Sequence, residues 1–373
     1  MLLNVGRPGR LGALIGICAA TVVAAAVVAQ PPAQAQARVP WAQVGPGWVL
    51  AQYAGGAQST HATTLYLISP GGTKYTMATW PASKTNPPGM IAWSGDKTRA
   101  LLYGQGPGRV EQLNLTTGKL SRFTLAGQAS AIGYSYPDGL NILGVRESGG
   151  QWTLARYSLT GALTKVLSRG RFASTGLYSG NGTELAVPAA TGLTLVSNAG
   201  PVIRQLPVPG TNPSNGCTPA RWWNSETILA YCIAKSSTLA RLWLVPAGGG
   251  KPTALTPVRK PASHDLGDFD AWRLSSGLYL QSAGACGSLE INKQASNGSL
   301  TAVSVPGAPG TQNVIMTADG PRLLIAVQNS CAGGASLLWF NPGNRAEQWL
   351  LRGPAGGFLI AVAYNSAENA PRL

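Results

Sequence analysis

Acid–base side chains are scarce in this sequence. Its 373 residues carry 13 Asp and Glu and two histidines, His61 and His264, and no carboxylate precedes Asp96. A Ser-His-Asp triad would have to use one of those two histidines, and no G-x-S-x-G elbow is present to carry its nucleophile. Cysteine is sparse as well. The five cysteines make no C-x-x-C pair and have no histidines near them, which removes the usual zinc-site spacing. Ser94-x-x-Lys97 has the form of a Ser-x-x-Lys nucleophile motif, but its partner motifs are missing and it falls where a polar turn is expected. Gly104-Gln-Gly106-Pro-Gly108 imitates a phosphate loop without the helix such a loop feeds.

Blocks of charge are also missing. The formal net charge is +15, yet the basic residues are mostly scattered singly, with Arg169/Arg171 and Arg259/Lys260 among the close pairs. A nucleic-acid reader needs a basic stripe or a recognition motif, so no specific nucleic-acid partner is expected. A soluble cationic surface is the plain reading, with non-specific attraction to anionic wall polymers or headgroups beside it.

Long apolar runs are confined to the N-terminus. Arg7 and Arg10 precede an uncharged stretch, Leu11–Ala29, and Ala35-Gln36-Ala37 follows as a small-x-small cleavage site. Residues 1–37 therefore read as a signal peptide, and 38–373 as one domain. The apolar stretch exceeds the ~7–15 residues of a typical signal core and approaches the ~20 that span a bilayer, so a retained membrane anchor is the alternative.

What the chain has in abundance is repetition. An apolar alternating strand, a turn and a second strand recur seven times, as TTLYLISPGGTKYTMATW, VEQLNLTTGKLSRFTL, TLARYSLTGALTKVL, GLTLVSNAGPVIRQLPV, ARLWLVPAGGGKPTALTP, SLEINKQASNGSLTAVSV and LLWFNPGNRAEQWLL. Their turn glycines (Gly72, Gly118, Gly161, Gly200, Gly249, Gly298, Gly343) stand 46, 43, 39, 49, 49 and 45 residues apart. Such a period marks a radial β array whose units bury their faces only against neighbours. A second phrase precedes the hairpins, as in IAWSGDKTRALLYG, IGYSYPDGLNILGV and GLYSGNGTELAVPA: a short strand, a polar turn, then a strongly apolar strand. Together they make four antiparallel strands per unit, the composition of a propeller blade. The fold class is all-β, a seven-bladed β-propeller. Gly47–Leu50 reads as a second strand, so residues 358–364 are expected to complete the first blade; Val39–Val44 as the innermost strand is the rival closure.

The phrase aromatic-Ser-x-Asp-Gly-x-x-Leu-Leu resembles the repeat of TolB-type and WD40-like β-propellers. Tyr134-Ser135 with Asp138-Gly139, and Tyr178-Ser179 with Asn181-Gly182, match it best, and Trp93-Ser94-Gly95-Asp96 is close. The Trp223 and Trp272 copies lack Asp-Gly, Met316 replaces the aromatic, and the Gly-His and Trp-Asp pairs of true WD40 repeats are absent. The resemblance covers residues 40–370 and extends to secreted actinobacterial propeller proteins. It implies a fold and a habit of binding proteins or envelope components.

Four cysteines lie beyond the leader, as suits an exported chain with disulfides. If Asn224-Ser225 form a two-residue turn, Cys217 faces Cys232 across a strand pair; Cys286 and Cys331 then bond between successive blades. The candidate ligand site is His264-Asp265-Leu-Gly-Asp268-Phe-Asp270, just before the inner strand of blade six. Its carboxylates could hold a Ca²⁺ or a basic partner, and a solvated turn is the plain alternative. Trp93, Trp223 and Trp272, with Tyr134 and Tyr178, are expected at equivalent inner-strand ends, either packing between blades or lining a channel mouth for a sugar or peptide. The sequons at Asn114, Asn181 and Asn297 need only turn chemistry. The resulting expectation is a monomeric, non-catalytic, exported binding or scaffold protein engaging a protein or envelope component, secreted or held in the extracytoplasmic envelope. The alternative is an extracellular propeller enzyme, a hydrolase or lyase, using channel-mouth carboxylates and a cation.

Overall fold

Every one of the seven repeated phrases folds as the antiparallel hairpin that its alternation dictates. The computed structural model describes residues 38–57, 60–83, 87–235, 239–257, 259, 265–284, 288–306, 312–328, 334–353 and 356–364. Met1–Ala37 and Arg38–Leu373 are separate units, and all described residues belong to the second. Among them there is no α-helix, only the 3-10 turns Trp41–Gln43 and Ala126–Gln128. No helix among the described residues is long and apolar enough to cross a membrane.

The strands pair in fours. β1 (Val49–Ala54), β2 (Thr63–Ile68) and β3 (Lys74–Trp80) are followed by β4 (Met90–Trp93), β5 (Arg99–Tyr103), β6 (Arg109–Asn114) and β7 (Leu120–Thr124). Next come β8 (Ser130–Tyr134), β9 (Asn141–Ser148), β10 (Gln151–Ser158) and β11 (Leu163–Gly170). β12 (Leu177–Tyr178), β13 (Glu184–Ala189), β14 (Gly192–Ser197) and β15 (Val202–Pro207) make the fourth set. The fifth is β16 (Cys217–Asn224), β17 (Thr227–Ile233), β18 (Ala240–Pro246) and β19 (Thr253–Ala254). The sixth is β20 (Asp265–Leu274), β21 (Gly277–Gly284), β22 (Leu289–Gln294) and β23 (Leu300–Ala302). β24 (Gln312–Asp319), β25 (Arg322–Gln328), β26 (Ala335–Asn341) and β27 (Ala346–Arg352) follow. Single bridges at Ala189↔Cys217, Ala240↔Gly267 and Leu289↔Gln312 string the last four sets into one continuous sheet.

β28 (Phe358–Tyr364) returns to β1, with Val49 opposite Tyr364 and Ala54 opposite Phe358. The two ends of the domain thus share the first set, which covers an inner edge that would otherwise be open to a second chain. Val39–Val44 is not a strand.

The core follows the same cyclic order. Ala92, Leu101 and Val110 of the second set pack with Tyr134, Ile142 and Tyr157 of the third. The third set's Leu143 and Leu154 meet Tyr178 and Leu185 of the fourth. Finally, Leu324 and Trp339 of the β24–β27 set pack on Val49 and Ile68, so the series returns to its start. Each sheet is buried on both faces, which is why the second strand of each set, such as Ala100-Leu101-Leu102, is nearly continuous in apolar residues.

Two glutamines on second strands, which sequence reasoning passed over, tie neighbouring sets together. Gln52 donates from Nε2 to the Pro88 carbonyl (2.8 Å) and accepts the Met90 N–H (2.6 Å). Gln281 repeats the device at the sixth set, donating to the Glu290 and Asn313 carbonyls (3.0 Å each) and accepting the Ile315 N–H (2.8 Å).

Six of the seven hairpin glycines stand at positive φ, as such turns require; the seventh, Gly343, does not, and Arg345 takes the left-handed position instead at φ 61°. The Cys217–Cys232 disulfide forms, joining facing residues of β16 and β17. The turn differs from expectation. Asn224 faces Thr227, so Ser225-Glu226 make the turn, and two irregularities in β16 restore the cysteine register. Cys286 and Cys331 lie outside the described residues.

Candidate functional site

The phrase that repeats before each hairpin is a side-chain network. Ser135 donates to Asp138 (2.7 Å) while accepting the Asn141 N–H (3.0 Å), which pins the turn between β8 and β9. Ser179 and Asn181 do the same before β13 (2.7 Å), as do Ser94 and Asp96 before β5 (2.5 Å). The Ser94 hydroxyl is thereby occupied, and Ser94-x-x-Lys97 is turn chemistry. The sequons behave alike. The Oδ1 atoms of Asn114, Asn181 and Asn297 each accept from the backbone and hydroxyl of the Ser or Thr two residues on.

Aromatic residues sit one step before these turns, and packing claims most of them. Trp93 is buried among Leu102 and Leu113, its indole N–H donating to the Lys97 carbonyl (3.0 Å). Trp272 is buried among Ile291 and Leu323. At the fifth set the structure differs from expectation: Trp222, opposite Ile228, takes the buried position, and Trp223 is half-exposed under the Arg273 guanidinium, 5.8 Å away. The shifted turn causes this exchange, because moving the turn by one residue moves which side chain faces the core.

Residues 265–270 of the acidic segment lie within a strand rather than in the connection before it. His264 lies outside the described residues, and Asp265 opens β20 with its backbone opposite Gly284. Asp268 and Asp270 are within that strand and buried. Asp268 accepts from Arg259 (2.8 Å) and from Ser282 (2.7 Å), which in turn accepts from Asn292 (3.1 Å). Asp270 accepts from Arg221 Nε (2.9 Å) and the Ala271 N–H (2.7 Å). Two carboxylates on one strand, each already paired with a guanidinium group, do not offer the converging set of six to eight oxygens that Ca²⁺ takes. Among the described residues, Asp268 and Asp270 by themselves do not form a site for that ion.

Arg221 carries the chemistry that sequence reasoning missed. It is buried on β16, the first strand of its set, and its guanidinium lies 3.9 Å from the centre of the Trp272 ring. Burial pushes its pKa down to about 10, while neighbouring Tyr364 on β28 works the other way. Burial raises the Tyr364 phenol in turn, against opposing effects of Arg221 and a hydrogen bond with Thr317 of β24. Beyond Asp270, no acceptor for the guanidinium is found among the described residues. Tyr364 also borders a cavity of about 130 Å³ whose other walls are Ile91, Trp93, Met316 and Val362. Arg221, Asp270, Thr317 and Tyr364 thus come from four different first strands, β16, β20, β24 and β28. A lone arginine inside the apolar run Ala220-Arg221-Trp222-Trp223 was the one signal available in the sequence.

A fixed guanidinium with free N–H donors, backed by an aromatic face and held by a carboxylate, recognises carboxylate or phosphate. A phenol kept protonated beside it can donate to an oxygen that gains charge.

No protein-family model and no curated protein matches the sequence. Solved structures do match in fold. The chain resembles a puromycin-hydrolyzing peptidase of Mycobacterium tuberculosis (15% identity, TM-score 0.51), covering 81% of this chain and 53% of that one. It resembles a prolyl endopeptidase structure (11% identity, TM-score 0.53), covering 83% of this chain and 50% of that one. It also resembles a candidate 6-phosphogluconolactonase of Bacteroides uniformis (16% identity, TM-score 0.50), covering 84% of this chain and 98% of that one. The chain spans about half the length of the two peptidases. These neighbours are β-propeller-type proteins.

The comparison corrects the expectation of a non-catalytic binding or scaffold protein. The three solved proteins just named are two peptidases and a candidate lactonase. Repeat architecture is therefore no argument against catalysis. Nor is the scarcity of histidine, since first strands can bring together arginine, carboxylate and phenol groups that no linear motif announces.

Proposed function

We propose that this chain is an exported, seven-bladed β-propeller hydrolase of TolB-like repeat type, acting on a small anionic ester of the lactone class at the Arg221 cluster. The observation that carries the reading is the buried Arg221 on Trp272, held by Asp270 and facing Tyr364. Support comes also from the Bacteroides uniformis neighbour, matched over nearly its whole length and described as a candidate 6-phosphogluconolactonase. Arg221 grips the substrate's carboxylate or phosphate, and Asp270 positions Arg221. Tyr364 donates to the carbonyl oxygen as water adds to the acyl carbon. The ring C–O bond then breaks, and the ring oxygen leaves as a hydroxyl carrying a proton from that water. Export rests on the leader pattern and on the Cys217–Cys232 disulfide, a bond that persists in oxidising compartments; the mature chain begins at Gln36 or Arg38.

The test is hydrolysis by the full chain of a panel of neutral, carboxylated and phosphorylated sugar lactones. Turnover restricted to the anionic members is expected, with Tyr364→Phe lowering kcat at unchanged KM and Arg221→Lys raising KM. No turnover above the spontaneous rate across the panel would defeat the proposal.

A further inference from the structure

A second hollow lies away from Arg221, at the turns that lead from β12 to β13 and from β16 to β17. It measures about 490 Å³ and is lined by Ser179, Asn181, Glu184, Trp222, Trp223 and Ser225, with Asn224 beside them. A contiguous hollow, also about 490 Å³, shares Glu184 and Ser225 and adds Glu226, Arg204 and an apolar side that includes Ile203 and Pro246. Each falls within the ~300–1,000 Å³ of small-molecule sites.

We infer that this paired groove binds an oligosaccharide, uncharged or amine-bearing. Its lining is matched to sugar hydroxyls. Asn181 and Asn224 spend their Oδ1 atoms inside the turns, on Thr183 and Glu226 backbone N–H groups (3.1 and 2.9 Å), leaving their amide N–H₂ groups as donors. The Glu184 carboxylate has no hydrogen-bond or ion-pair partner among the described residues, although its backbone is tied to Ser179. Trp222, 6% exposed, packs into the core and forms the floor of the hollow. Trp223, half-exposed, supplies an aromatic face.

Chemistry excludes the other occupants. Apart from Gly180 and the two indoles, every residue lining the first hollow presents a polar side chain, so it has no apolar pocket for peptide side chains. Glu184 and Glu226 set two carboxylates against the Arg204 guanidinium, which donates to the Ala247 carbonyl (2.9 Å), so the groove lacks the positive excess of a chain whose net charge is +15. Anionic polymers drawn to the rest of the surface find no such excess here. The site is independent of the lactone reading, and its test does not measure hydrolysis.

The full chain is titrated with chitosan oligomers, cello-oligosaccharides, oligogalacturonate and a mixed-sequence peptide, following tryptophan fluorescence and heat. Saturable binding of the chitosan and cello-oligomers is expected. Trp223→Ala should weaken both by about tenfold or more, as truncating a Trp anchor does, with the circular dichroism unchanged. Because Trp223 also packs beneath the groove, Glu184→Gln is the second variant: it should weaken the amine-bearing oligomer and spare the neutral one. Absence of saturable binding by both oligomers, preference for oligogalacturonate or peptide, or indifference of both variants would each overturn the assignment.

Discussion

Arg345 stands at φ 61° where six sister hairpins use glycine. A left-handed backbone costs a residue with a Cβ about 1–2 kcal/mol, so Arg345→Gly should raise stability by about 1 kcal/mol in a denaturant titration, less the entropy glycine returns to the unfolded chain. Gly161 argues the opposite case. A Cβ there would meet the Thr124 carbonyl oxygen at 2.3 Å, at φ 93°, and Gly161→Ala should cost on the order of 2–4 kcal/mol. Two buried tyrosines and the half-buried Tyr364 set the alkaline limit. Burial raises the phenols of Tyr134, Tyr178 and Tyr364 above their ordinary value of 10.0. A raised folded-state pKa gives stability that is complete below the unfolded value and lost as pH climbs through the folded one. The fold should therefore weaken progressively above pH 10, with phenolate absorbance and loss of circular dichroism rising together. Separate, earlier titration of these three phenols in the folded chain would contradict their burial.

Elements here are stabilised at their junctions as much as within themselves. The strands of each set hold one another by ladder hydrogen bonds, but successive sets meet chiefly through side chains, and Gln52 and Gln281 supply part of the polar contact, beside pairs such as Arg221–Asp270. Gln281→Leu keeps the volume and strands the Ile315 N–H and the Asn313 carbonyl. Leaving such groups unpaired costs about 1–3 kcal/mol each, and the thermal midpoint should fall accordingly; an unchanged midpoint would mean that water replaces the glutamine. The β16–β17 pair carries its own fastening. The Cys217–Cys232 bond closes a separation of 15 residues, for which chain entropy gives about 3 kcal/mol. Reduction should lower stability by that order, read from denaturant curves with and without reductant.

At the scale of the whole molecule, closure by β28 matters most. Without it, β1 would present the apolar run Val49-Leu50-Ala51 on an open inner edge, and Tyr364 would be lost from the Arg221 cluster. A chain ending at Gly357 should therefore aggregate or associate edge to edge, seen as loss of the monomer peak in size-exclusion chromatography. A soluble, monomeric truncated chain would show that the remaining strands close without it.

The sequence by itself determined the strands, their grouping in fours, the shared closure and the Cys217–Cys232 bond. Each of these rests on local signals: period-two alternation, turn residues, and the spacing of cysteines around one turn. It also made the Ser-Asp turns legible, since their partners lie within six residues of one another. Tertiary structure alone decided the rest. Arg221 and Asp270 stand 49 residues apart, and Tyr364 belongs to a strand that reaches them only after the whole series of sets has packed in order. Whether Trp222 or Trp223 faces the core turned on a one-residue shift of the Ser225-Glu226 turn, absorbed by irregularities that no propensity predicts. Asp268 and Asp270 read as exposed charge because their neutralising arginines come from elsewhere in the chain. Local pattern governs which elements form; burial, which is a property of the assembled sets, governs which polar groups become chemically unusual.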